Sequence, residues 1–153
     1  MNYDAKLKEL YIELPLPRSV TLGTAHAVKS GKLLSLGSCL PFADGRLVAK
    51  GRVGIEVRPD TARQAARTAI IQALAIIATE SGGTLNRVMQ VIRLDGFVAA
   101  GGDFRDHEKV IDGASELLVS IFGPAGRHTR NVIGCVSLPM EACVSLSLLV
   151  EMK

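Results

Sequence analysis

The stretch Cys143-Val144-Ser145-Leu146-Ser147-Leu148-Leu149-Val150-Glu151 decides the fold. Its residues alternate, the mark of a strand whose successive side chains point to opposite faces. Val144, Leu146, Leu148 and Val150 form a bulky apolar face suited to covering helices. Cys143, Ser145, Ser147 and Leu149 form a small, half-polar face. That second face suits close contact with another sheet better than open water. Before this strand, Asn131 to Leu138 reads as a further strand, stopped by Pro139.

Upstream, Val110, Ala114, Leu117, Leu118 and Ile121 recur at helical spacing. Asp103 is the candidate N-cap of that helix and Gly123-Pro124 closes it. Val88 to Val98 alternates, with Ile92, Leu94 and Val98 on one face and Arg93, Asp95 and Phe97 on the other. A second helix opens at Pro59-Asp60-Thr61, carries Ala62, Ala66, Ala69, Ile70, Ala73, Leu74 and Ile77 inward, and ends at Gly82-Gly83. Its alanines allow close approach to a sheet. Further upstream, His26 to Cys39 reads as two runs meeting at Ser30-Gly31. Pro41 ends the second run, and Asp44-Gly45 marks another turn. Leu47 to Val57 includes a third candidate strand, weakened by Gly51 and Gly54. Asp4 to Leu10 reads as a short helix capped by Asp4, and Pro15 and Pro17 stop it.

This order predicts an α+β fold with both helices on one sheet face. One domain, residues 1–153, with an N-terminal arm over residues 1–22, accounts for the whole chain. Nothing in the chain supplies a layer for the other sheet face, so self-association is expected.

Composition narrows the function. Apolar residues make up 48% and charged residues 22%, with a formal charge of +3. That excess is too small to imply nucleic-acid binding. Aromatics at 4%, with no Trp, are too few for base-stacking platforms. Cys39, Cys135 and Cys143 have no paired spacing, which predicts neither a disulfide framework nor a zinc knuckle but packed thiols in a reducing compartment. The N-terminus lacks a signal-peptide layout, and the longest apolar run, Ala73 to Ala78, is too short to cross a bilayer. The expectation is a soluble cytoplasmic protein.

Chemistry concentrates in Gly123-Pro124-Ala125-Gly126-Arg127-His128-Thr129-Arg130. An arginine fork grips planar anions through two parallel hydrogen bonds. The bland reading, a solvated basic loop, carries the larger weight from these residues alone. His128, without an identified partner, is more often structural than catalytic, and His26 and His107 are too scattered for a metal motif. Cys39 follows Gly37-Ser38 at a strand end, with no base to activate it. Asp95 shares a face with Arg93, which suggests an ion pair before it suggests a proton donor. No phosphate-cradling glycine loop is present.

The run Gly126-Arg127-His128-Thr129-Arg130-Asn131-Val132-Ile133-Gly134-Cys135-Val136-Ser137-Leu138-Pro139 closely resembles the signature of the YjgF-like, reactive intermediate deaminase (Rid) family, also called the L-PSP endoribonuclease family. Ala27 to Leu34, Leu40-Pro41, and Gly96-Phe97-Val98 followed by Phe104 match as well. Leu14-Pro15 and Asp112-Gly113-Ala114-Ser115 resemble a longer-chain subgroup.

The resemblance implies a chorismate-mutase-like fold and a homotrimer whose sheets line an inner barrel. Clefts between subunits would hold small carboxylates or 2-keto acids, with no metal or cofactor. It implies that Arg130 clamps the substrate carboxylate, and that Gly37, Ser38, Cys39, Val132 and Phe97 belong to the cleft. Family deaminases hydrolyse enamines and imines of the 2-aminoacrylate class to 2-keto acids.

Two departures matter. Ser145 stands where those enzymes carry the glutamate that handles the water, and Ser147 at the next acidic position. Val132 replaces a frequent cysteine, and the expected tyrosine is lost near Thr24. A neutral hydroxyl cannot replace a carboxylate as general base. Asp95, on the same strand face, is the candidate substitute; Glu141 is a weaker one. Three readings stay open: a deaminase with altered proton handling at Ser145 and Asp95, a non-catalytic metabolite-binding trimer, and an endoribonuclease or translation inhibitor.

Overall fold

A computed structural model describes residues 2–153. Helix α1 spans Tyr3–Glu9. Strands β1 (Ala27–Ser30) and β2 (Leu33–Leu36) form a hairpin, followed by the small hairpin β3 (Phe42–Ala43) and β4 (Arg46–Leu47). Then come α2 (Pro59–Glu80), β5 (Val88–Ala99), α3 (His107–Phe122), β6 (Thr129–Cys135) and β7 (Val144–Met152). The main sheet has the order β1-β2-β7-β5-β6. Only β5 and β6 run parallel, joined by α3; every other neighbour is antiparallel.

The C-terminal strand sits at the centre, as its alternation predicts. Val144, Leu146, Leu148 and Val150 are buried. They meet α2, and α3 packs on α2, β5 and β6; Ala66, Ile70 and Leu74 of α2 and Ala114 and Leu118 of α3 are fully enclosed. Alanines give α2 its close seat, and Gly113 lets α3 approach it: a Cβ there would lie 2.2 Å from the Arg63 carbonyl oxygen. The opposite sheet face is covered only in part: Ser145 is buried on it, while much of the rest lies open among the described residues. Val28, Leu33 and Ile133 share it by register with Ser35, Glu151 and Phe97, and all three are exposed.

Several local expectations are corrected. Asn2, not Asp4, caps α1, its Oδ1 accepting from the Ala5 N–H at 2.9 Å. Asp4 lies inside the first turn and reaches the loop before β5. It accepts from the Leu85 N–H at 2.8 Å and from Thr84 Oγ1 and Asn86 Nδ2. The front of the arm is thereby fastened to the body, with Tyr3 and Leu7 buried and the Tyr3 ring edge-on to Phe122. Asp103 does not cap α3; a turn closed by the Phe104 N–H on the Gly101 carbonyl delays the helix to Asp106–His107.

The strand expected over Leu47 to Val57 is absent beyond Leu47. Gly51 and Gly54 take positive φ, and the loop instead bonds Val53 to Ala99 and Gly101 at the end of β5. Irregular register in β5 puts Val91, not Ile92, into the core. From Arg93 onward the expected alternation holds. β6 starts two residues early and leaves the sheet after Cys135, with Val136 exposed. The hairpin loop is Gly31-Lys32, one residue later than Ser30-Gly31. Asp44-Gly45 forms its two-residue turn with both φ positive, the geometry such turns need.

Candidate functional site

The β2 end is where a cavity opens. Ser35 pairs with Leu149, yet Cys39 pairs with Leu146. Three residues on one strand thus oppose two on the other, which arches the chain off the sheet in the manner of a bulge. Gly37-Ser38 is the arch. Its feet are the Gly37 N–H on the His26 carbonyl (2.9 Å) and the paired backbone bonds of Cys39 with Leu146. Beneath and beside it lies a cavity of about 620 Å³. Gly37, Ser38, Cys39, Phe97 and Ser145 all line it, together with Arg18 to Thr21 of the arm and Thr24 to His26 after it.

The register explains why Phe97 and Ser145 meet there: they are cross-strand partners on the face away from the helices. Ser145 is only 5% exposed. Cys39 is buried, its Sγ donating weakly to the Gly37 carbonyl, and burial pushes its thiol up to about 12. It stays protonated and is no nucleophile near neutral pH. Cys143 is pushed up to about 11 by the same cause, and burial also raises the Cys135 thiol.

Asp95 shares this sheet face but pairs with Ser147, one alternation further along. Its Oδ1 accepts from Arg93 Nε at 2.9 Å and Asn131 Nδ2 at 3.1 Å, and it does not line the cavity. Glu141 lies in the Pro139–Glu141 turn, likewise outside the lining. Among the described residues, no Asp or Glu lines the cavity, and no cluster of His, Cys, Asp or Glu has metal-binding geometry.

Arg130 and Val132 point the other way. They pair with Leu94 and Gly96, whose face is the helix face. Arg130 reaches across to α3. Its guanidinium meets Asp112 Oδ1 at 2.8 Å, donates to Ser115 Oγ at 3.1 Å, and stands 3.9 Å from the Glu108 carboxylate. Ser115 Oγ also bonds His128 Nε2 at 2.9 Å, while His128 Nδ1 donates to the Gly126 carbonyl at 2.6 Å. Since Nδ1 carries that proton, the neutral ring accepts at Nε2 from the Ser115 hydroxyl. The basic loop is therefore bonded to Asp112-Gly113-Ala114-Ser115, whose first and last residues face Arg130. Val132 packs against the core beside them.

Of the cavity residues that sequence reasoning missed, three make side-chain contacts that shape the site. Gln72, in the middle of α2, is buried and its Nε2 donates to the Phe42 carbonyl at 2.8 Å. A lone amide among Ile71, Ala73 and Leu74 was its only signal. His26 Nε2 donates to the Arg18 carbonyl oxygen, which closes the arm over the cavity. Arg18 holds its guanidinium 3.4 Å above the Phe42 ring centre. Nothing in the sequence separates this arginine from others in loops.

Comparison with known proteins agrees with this architecture. A family model described as "YjgF/chorismate mutase-like, putative endoribonuclease" matches residues 7–152. Protein TCP17 of Trypanosoma cruzi is 32% identical over 150 residues, covering 97% of this chain and 93% of that protein. The crystal structure of Atu1372 from Agrobacterium tumefaciens, a protein of unknown function, superposes with a TM-score of 0.93 at 34% identity, covering 99% of this chain and 92% of that one. A structure described as a "putative endoribonuclease" from Shewanella oneidensis reaches 0.95 at 28% identity, covering 99% and 100%. The family model matches nearly the whole chain, and the chain belongs to the YjgF-like, Rid or L-PSP endoribonuclease, family.

Proposed function

We propose that this chain forms a homotrimer that binds a small carboxylate of the 2-keto acid class in the arched-strand cavity without hydrolysing its imine precursor. One observation carries the reading: among the described residues, the cavity wall holds Ser145 and no Asp or Glu. Hydrolysis of an imine needs a group to take a proton from the attacking water, and a serine hydroxyl at its ordinary acidity does not do so. Asp95 is occupied by Arg93 and Asn131 two residues along the strand. The cavity still offers hydroxyls from Ser38 and Ser145 and an apolar wall from Phe97, which suits holding a ligand. An RNase role finds less support, because both ring nitrogens of His128 are already bonded within the chain.

The open part of that sheet face, with exposed Val28, Leu33 and Ile133, supports self-association as a trimer. An Arg130 that serves a ligand would do so toward a neighbouring subunit's cleft, after leaving Asp112. Sedimentation should give three times the 16.3 kDa chain mass. Calorimetry should show binding of 2-ketobutyrate or phenylpyruvate. Ammonia release from freshly generated 2-aminoacrylate should not exceed the buffer rate; a protein-dependent rate defeats the non-catalytic reading.

A further inference from the structure

Given that the cavity is a ligand site, we infer that Arg18 is its anion-recognising residue and that the ligand is a carboxylate with a bulky apolar body. Three observations converge on Arg18. First, it is the one arginine or lysine among the described residues lining the cavity. Second, among the described residues it makes no ion pair, whereas Arg130 is already matched to Asp112. Third, its guanidinium is preset. It lies 3.4 Å from the centre of the Phe42 ring. Phe42 is itself buried, and its carbonyl is fixed by Gln72. The Arg18 backbone is tied to His26.

An arginine held on an aromatic face keeps the N–H groups at its edge free for a carboxylate, and little rotamer freedom remains to be lost on binding. With no Asp or Glu in the lining, nothing in the wall competes with a bound anion.

Size and lining set the rest of the ligand. About 620 Å³ is well beyond what a three- or four-carbon acid fills. Val20, Leu40, Ile76, Phe97, Leu138 and Pro139 present apolar surface around it. An acid with an aryl or long alkyl group satisfies both ends at once. Phenylpyruvate is thus expected to bind more tightly than 2-ketobutyrate.

The test is calorimetry on the full-length protein with both acids, using Arg18→Gln, Arg18→Lys and Arg130→Ala. Arg18→Gln should weaken phenylpyruvate about tenfold or more, the scale of one lost charge-assisted hydrogen-bond pair. Its melting temperature should stay within about 4 °C of the parent, because the side chain is exposed and only a solvent-facing cation–π contact is lost. Arg18→Lys, charged but not planar, should fall between. Equal affinity in Arg18→Gln and the parent overturns the Arg18 assignment while leaving the cavity as a ligand site. Loss of binding in Arg130→Ala but not in Arg18→Gln places the anion elsewhere and also overturns it. A parent protein that binds neither acid defeats the ligand-site reading itself. Tighter binding of 2-ketobutyrate than phenylpyruvate overturns the bulky-body part.

Discussion

Replacing Arg130 by alanine separates a structural from a ligand-holding arginine. The side chain is 20% exposed and touches four groups on α3: Asp112, Ser115, the Glu108 carbonyl and, more distantly, the Glu108 carboxylate. Asp112 and Glu108 are 39% and 77% exposed, so solvent screens both ion pairs, and together they contribute under about 1 kcal/mol. The bond to Ser115 is different. Its oxygen accepts from Arg130 and donates to His128, so the truncation leaves that hydroxyl one partner short and removes packing from the guanidinium stem. A charge-assisted bond of this kind contributes about 1.5–3 kcal/mol, so the net loss is about 2 kcal/mol. For a chain of 153 residues that lowers the melting temperature by about 4–8 °C. Calorimetric or fluorescence melting checks it, at one fixed protein concentration because self-association would shift the midpoint. A double-mutant cycle with Asp112→Asn should return a coupling of about 0.5–1 kcal/mol. An Arg130→Ala protein that melts within about 1 °C of the parent refutes the structural assignment.

Ser145→Glu restores a carboxylate to the cavity wall; ammonia release from 2-aminoacrylate should then rise by about two orders of magnitude over the parent, and an unchanged rate would mean the missing base is not what limits hydrolysis. Cys39 ionises near 12 in the fold against about 9 for a free thiol, because burial disfavours the thiolate. The folded pKa is the higher one, so this stabilisation is complete below about pH 9 and is lost as pH rises toward 12. Urea melts between those limits should show a falling midpoint that Cys39→Ala makes less steep, the buried Cys143 contributing the rest, and alkylation of the native Cys39 thiol at pH 8 should be slow. Gly113→Ala should destabilise by about 1–3 kcal/mol, since its Cβ would sit 2.2 Å from a backbone oxygen of α2; a neutral result in urea titration would mean the two helices separate freely.

The sheet was legible because β7 alternates, with only Leu149 apolar on its outer face, and its five inward residues are all large. The α2 and α3 stripes were legible for the same reason at period 3.6. Failures occurred where a tertiary bond outcompeted a local signal. Asp4 looks like a cap but is drawn to Thr84, Leu85 and Asn86, and Asp103 yields to a turn made by its own glycines. Ile92 fits the alternation until irregular register turns Val91 inward.

The candidate site was half legible for a related reason. Phe97 and Ser145 sit on β5 and β7, whose faces follow from period two, whereas Gly37, Ser38 and Cys39 were implied by the family resemblance and lie in the arch where period two breaks. Arg130 depends on the register of β6 against β5. Its side is fixed by pairing with Leu94 rather than Asp95, and nothing local to β6 encodes that choice. A shift of one residue would carry Arg130 from the helix side to the face that holds Ser145. Motif similarity fixes which residue is an arginine; the hydrogen-bonding register fixes what it can touch. Asp112 and Ser115 are the physical record of that register, because they stand one helical turn apart on α3 and both meet the same guanidinium. In this chain Arg130 is matched to Asp112, and the proposed contact with an anion therefore falls to Arg18 on the arm.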